Sequence, residues 1–72
     1  MPDPIPDSEG ERTEEVLRLI NEVRRLGPEA EKEWTSWELQ ILSELNDGRA
    51  CTRIRFKEIR EGAKRILKKF EK

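Results

Sequence analysis

Apolar residues recur at helical spacing near the start of the chain. They stand three and four positions apart, at Val16, Leu19, Ile20, Val23 and Leu26. This period places them on one face of a helix. Ser8 and Glu11 have capping-box spacing, and Thr13 followed by two glutamates is a second possible start. Gly27 before Pro28 is typical of a helix end followed by the first residue of another helix. The pattern predicts a first helix over about 11–26.

The stretch EWTSWELQIL, residues 33–42, supports two interpretations. In the first, one helix runs unbroken over 28–46, with an apolar stripe formed by Ala30, Trp34, Trp37, Ile41 and Leu45. In the second, Thr35 is the N-cap of a new helix, because Thr35 and Glu38 form a capping box. We adopt the unbroken helix as the prediction. If Thr35 does cap a new helix, we expect Trp34 to be the more exposed ring.

A third helix is predicted near the C-terminus. Asn46, Asp47 and Gly48 end the preceding helix, since glycine adopts the left-handed conformation without strain. At 100° per residue, one arc of about 100° holds Phe56, Ile59, Ala63, Ile66, Leu67 and Phe70. Ile54 falls nearly opposite that arc, so the helix is expected over about 55–71. Gly62 within it suggests a close helix crossing.

Three amphipathic helices with short connections predict an all-α protein, a small antiparallel three-helix bundle over residues 11–72. Residues 1–10 carry three prolines, a glycine and several acidic residues, which predicts a disordered N-terminal arm. A chain of 72 residues buries only a small core, so a partner or self-association is an expectation from size alone.

Few residue types suited to catalysis are present. The chain has no histidine, one cysteine, Cys51, and no glycine-rich phosphate loop. We therefore expect neither an enzyme nor a metal site or cofactor. One cysteine allows no intrachain disulfide, which favours an intracellular protein, cytoplasmic or, in a eukaryotic or viral setting, nuclear. The longest apolar run is far short of the about 20 residues that cross a bilayer, so no membrane association is predicted.

Charge divides the chain into two opposed parts. Residues 1–48 hold 13 acidic and 5 basic side chains, whereas residues 49–72 hold 3 acidic and 10 basic ones. A basic helix face can bind an acidic protein surface or phosphates, or can be balanced by the chain's own carboxylates. The basic candidates for partner or nucleic-acid binding are Arg49, Arg53, Arg55, Lys57, Arg60, Lys64, Arg65, Lys68 and Lys69.

From these residues we predict a non-catalytic interaction or regulatory module that docks on a larger protein through its basic C-terminal helix. The alternative is a nucleic-acid-binding regulator of transcription or replication, including a viral or phage one. The pI of 5.6 weighs against nucleic acid, because such domains are usually basic overall. A third hypothesis is a homo-oligomer that sets the acidic half of one chain against the basic half of another.

The two tryptophans also allow two interpretations. Spaced three apart on a helix, Trp34 and Trp37 would share a face and fill the core. Alternatively, at least one ring is exposed as a contact anchor, since tryptophan is enriched where interfaces concentrate their binding energy.

The segment WTSWELQILSEL, residues 34–45, resembles the first helix of Myb/SANT-type DNA-binding domains. The matching residues are Trp34, Thr35, Glu38, Leu42 and Leu45. The resemblance implies two further helices with regularly spaced aromatic residues. This chain departs from that pattern, because only one helix is predicted after Gly48 and no tryptophan follows it.

Overall fold

Helices account for most of the chain. A computed structural model describes residues 4–71. The helices are α1 (Glu9–Arg25), α2 (Pro28–Glu31), α3 (Ser36–Asn46) and α4 (Arg53–Phe70), and no strand occurs within the described residues. The prediction of a helical protein is confirmed.

Helix α4 is the central element of the core, because α1, α2 and α3 all pack against it. The core brings together apolar side chains from every helix and from the α2–α3 and α3–α4 connections: Val16, Val23, Ala30, Trp34, Ile41, Cys51, Phe56, Ile59, Ala63 and Ile66. The arc predicted for the last helix is therefore its buried face. Ile54, predicted on the opposite side, is exposed.

The prediction of one unbroken helix over 28–46 is wrong. Helix α2 ends at Glu31, and α3 begins at Ser36 after the N-cap Thr35, whose backbone is extended. Thr35 Oγ1 accepts a hydrogen bond of 3.2 Å from the Glu38 backbone N–H, and the Thr35 N–H donates to Glu38 Oε1 at 2.9 Å. This reciprocal capping satisfies two backbone donors at the helix start, which the apolar period alone does not reveal.

The start of α4 also differs slightly from its prediction. The helix begins at Arg53 rather than near residue 55, because Thr52 is its N-cap and accepts from the Arg55 N–H at 3.2 Å. Gly27 and Gly48, expected at helix ends, have positive φ angles of 100° and 88°. Only glycine adopts such angles without strain, so both are suited to turning the chain.

The N-terminal segment contacts the helices where the structure describes it. Residues 1–3 of the predicted disordered arm lie outside the described residues, and Glu9 and Gly10 belong to α1. Arg12 donates hydrogen bonds of 2.8 Å to the carbonyls of Pro6 and Asp7 and one of 2.7 Å to the carbonyl of Cys51. Residues 6 and 7 are therefore joined through Arg12 to the α3–α4 connection. The disorder of the arm stays a prediction.

Gly62 has no side chain, which lets Glu38 of α3 and Trp34 lie close to the backbone of α4. A Cβ placed at Gly62 would overlap the Glu38 carboxylate and lie 3.0 Å from Cζ3 of Trp34. The predicted close crossing is thus made by two side chains of the α2–α3 region lying over this glycine.

Replacing Gly62 with alanine should destabilise the protein by about 1–3 kcal/mol, because the new methyl group displaces Glu38 and Trp34. Gly10→Ala is the matched control, since its Cβ would meet only Ser8 Oγ at 3.7 Å. That change should be neutral or stabilise the helix by up to about 1 kcal/mol. Urea unfolding of both variants tests this, and a Gly62→Ala protein as stable as the original would contradict it.

Candidate functional site

Glu38 is the one buried charged residue among the described residues, with 4% of its surface exposed. Arg65 of α4 holds it in a two-point contact, with Nη2 donating to Oε1 at 2.9 Å and Nη1 to Oε2 at 3.2 Å. Nη2 of Arg65 also donates to the Glu33 carbonyl at 3.2 Å. The fork geometry of the guanidinium suits this arrangement, and it fixes α3 and the end of the α2–α3 connection on α4.

The surroundings of Glu38 favour its ionised form. Burial by itself would raise the pKa of this carboxyl group, but the hydrogen bonds from Arg65 and Thr35 and the charge of Arg65 outweigh burial and lower it. The same contact with Glu38 raises the pKa of Arg65. Glu38 is therefore a structural anion that stays charged at neutral pH.

The two tryptophans have opposite environments. Trp34 is 7% exposed and belongs to the core, whereas Trp37 is 51% exposed. The expectation that a cap at Thr35 would expose Trp34 is wrong, because the turn before the cap directs this ring over Gly62. The expectation that both rings would fill the core is also wrong for Trp37. Trp37 remains the predicted contact anchor of the pair.

At least four of the nine predicted basic contact residues form ion pairs with carboxylates of the described residues. Arg55 lies 3.5 Å from Glu44, and Lys69 lies 2.7 Å from Glu33, on the flank of α4 where Arg65 holds Glu38. On the other flank Arg53 pairs with Asp7 at 2.7 Å. Much of the positive charge of α4 is thus matched within the molecule.

Arg60 is engaged differently from these four. Its guanidinium lies 5.1 Å from the centre of the Phe56 ring and donates to the Pro4 carbonyl at 3.3 Å. The hydrogen bond to Pro4 joins Arg60 to the N-terminal segment.

The remaining basic candidates are exposed. Lys57, Lys64 and Lys68 are spaced seven and four residues apart on α4, which places them on one solvent-facing row opposite the buried face. We call these three residues the lysine row. Arg49 is also exposed, but it lies in the connection before α4. Lys57, Lys68 and Arg49 make no ion pair with any described residue.

A cleft of about 310 Å³ opens between α1 and α3, the two helices that pack on α4 without close backbone contact with each other. The cleft is lined by aliphatic side chains and by amide and guanidinium groups. The aliphatic residues are Leu17, Ile20, Leu42 and Leu45, and the polar ones are Asn21, Arg24 and Asn46. The sequence prediction missed this surface. The one indication of it in the sequence is Leu17, an apolar residue at the edge of the α1 apolar stripe, which is 53% exposed in the structure.

Cys51 is buried and lies in the core beside α1. Burial raises the pKa of its thiol, so the reactive thiolate is disfavoured at neutral pH. Within residues 4–71 no group of three or more histidine, cysteine or acidic side chains is arranged to hold a metal ion.

No helix of the described chain is long and apolar enough to span a membrane. No family model matches this chain, and no curated protein or solved structure matches it either.

Glu38→Gln should destabilise the protein at neutral pH by about 1–3 kcal/mol, because it removes the charge that Arg65 contacts. The lowered pKa of Glu38 means that the unfolded chain takes up this proton first as pH falls. The stabilisation is therefore complete above about pH 4.5 and is lost as pH falls through the folded pKa.

Urea unfolding of both proteins at about pH 7 and about pH 3 measures this effect, and the difference between them should shrink at the lower pH. Glu33→Gln is the control, because Glu33 forms a more exposed pair with Lys69 and its loss should cost less than about 1 kcal/mol. A difference that stays constant with pH would contradict the assigned role of Glu38.

Proposed function

We propose that the protein is a non-catalytic helical interaction module that docks on an acidic surface of a larger protein. In this proposal α1, α3 and α4 act as an antiparallel three-helix bundle that presents the lysine row of α4 to the partner. The observation that carries the proposal is that Lys57 and Lys68 are exposed on one side of α4 and form no ion pair with any described residue. By contrast, Arg55 and Arg65 pair with carboxylates of α3 and hold α4 in place.

The support comes from the rigidity and position of this row. Phe56, Ile59 and Ile66 are buried on the opposite side of α4, so the helix that displays the lysines is anchored in the core from residue 56 to residue 66. A rigid helix loses little conformational freedom on binding, which favours its use as a contact element. Ile54, exposed at the start of the helix, would add an apolar contact beside Lys57.

The same features favour a protein partner over nucleic acid. Phosphate binding gains affinity from the number of cations brought to the nucleic-acid backbone, yet Arg55 and Arg65 are engaged with half-buried or buried carboxylates of the same chain. Glu61 also lies between Lys57 and Lys64 on the exposed side of α4. An acidic protein surface tolerates such an interruption, because a few charged contacts are enough to orient a partner.

Zero-length crosslinking, which joins lysine amines to carboxylates, tests the proposal in extract of the source cell. We expect crosslinks from Lys57 and Lys68 to one protein, because both amines are exposed on the proposed contact row. The double variant Lys57→Glu, Lys68→Glu should lose most of this product, and raised salt should reduce it in the original protein.

Lys32→Glu is the control, because it reverses an exposed lysine on a different part of the surface and should leave the product unchanged. Undiminished crosslinking by the double variant would contradict the proposal. A salt-sensitive shift of duplex DNA or of RNA by the original protein, lost in the double variant, would favour the nucleic-acid alternative instead.

A further inference from the structure

The exposed side of α1 carries a row of residues that is complementary to itself. Glu14, Leu17, Asn21 and Arg24 are spaced three, four and three residues apart, which places them along one side of the helix. An acid stands at one end and a base at the other, with an apolar side chain and an amide between them. We call these four residues the α1 row.

Two such rows match when they lie antiparallel. A two-fold axis close to residue 19 brings Glu14 of each chain beside Arg24 of the other, and Leu17 beside Asn21. A parallel arrangement would instead oppose like charges at both ends. The distribution of charge along α1 therefore favours one orientation of one occupant, a second copy of the same helix.

The cleft beside this row provides the space for that helix. Leu17, Asn21 and Arg24 form one wall of the cleft, and Leu42 and Leu45 of α3 form the other. A second α1 laid along the row would contact both walls. By symmetry, each α1 would occupy the cleft of the other chain, and Leu17, now 53% exposed, would be covered in both.

The charge next to the cleft is also balanced, which suits self-association. The adjoining face of α1 carries two acidic and two basic residues, Glu14, Arg18, Glu22 and Arg25. Arg24 has one ion pair within its own chain, with Glu31 at 3.6 Å, and both of these side chains are largely exposed. Such an exposed pair is weak, so it can be exchanged for Glu14 of a second copy.

We propose that two copies of the chain form a symmetric dimer in which the α1 row of each lies in the α1–α3 cleft of the other. This surface is separate from the lysine row on α4, which stays exposed in the dimer. The dimer would therefore present two lysine rows to partners.

Sedimentation of the original protein over a wide range of concentration tests the proposal, and a concentration-dependent dimer is expected. Glu14→Arg and Arg24→Glu should each weaken the dimer by about tenfold or more, because each replaces two attractions with two repulsions. An equimolar mixture of the two single variants should recover association, since opposite charges then face each other at both ends of the paired rows. The double variant should recover it as well.

A protein that stays monomeric at every concentration overturns the proposal. So does a dimer that Glu14→Arg leaves unchanged, or single variants that fail to associate when mixed. Lys57→Glu should leave the dimer intact, so failure of the dimer and failure of docking through the lysine row are distinguished. Photo-crosslinking from a probe at position 17 to a different protein would assign the cleft to that protein and contradict the dimer.

Discussion

The packing of α3 against α4 depends on one buried carboxylate. Glu38 completes the cap of α3, and its two carboxylate oxygens also accept hydrogen bonds from Nη1 and Nη2 of Arg65. A buried charge without such partners would cost several kcal/mol, so the burial of Glu38 requires Arg65 and the Thr35 N–H together. The space for it requires Gly62, where any side chain would overlap the carboxylate. The break between α2 and α3, the burial of Trp34 and the glycine within α4 are therefore parts of one arrangement.

The acidic and basic regions of the sequence meet along both flanks of α4. On one flank of α4, carboxylates of the α2–α3 region meet Arg55, Arg65 and Lys69, and on the other flank Asp7 meets Arg53. Arg65 and Arg55 lie near opposite ends of α4, and their partners Glu38 and Glu44 follow in the reverse order, so α3 runs antiparallel to α4. The charge asymmetry of the sequence thus serves folding first. Lys57 and Lys68, which form no ion pair with any described residue, have the role that we propose in binding a partner.

Much of the fold could be predicted from residue spacing, and the exceptions have physical reasons. The apolar arcs of α1 and α4 predicted the buried core residues of both helices, including Val16, Val23 and Phe56, and the exposure of Ile54. Leu26, predicted on the apolar face of α1, is 39% exposed because the helix ends before it. The prediction of an unbroken helix over 28–46 was wrong because the apolar residues Trp34 and Trp37 are at helical spacing although the N-cap Thr35 lies between them. Spacing cannot show that Glu38 points inward, since a glutamate is usually exposed and its partner Arg65 is 27 residues away. The α1–α3 cleft was missed because it depends on the distance between α1 and α3 when both pack on α4, and residue spacing does not give that distance.

A double-mutant cycle between Glu38 and Arg65 is the most direct test of this account. The free energy of unfolding would be measured at neutral pH for Glu38→Gln, Arg65→Gln, the double variant and the original protein. If this contact joins α3 to α4 as described, the two positions should be coupled by about 1.5–3 kcal/mol. Effects that add to within about 0.5 kcal/mol would show that the two residues act independently, and would contradict the central role given to their contact.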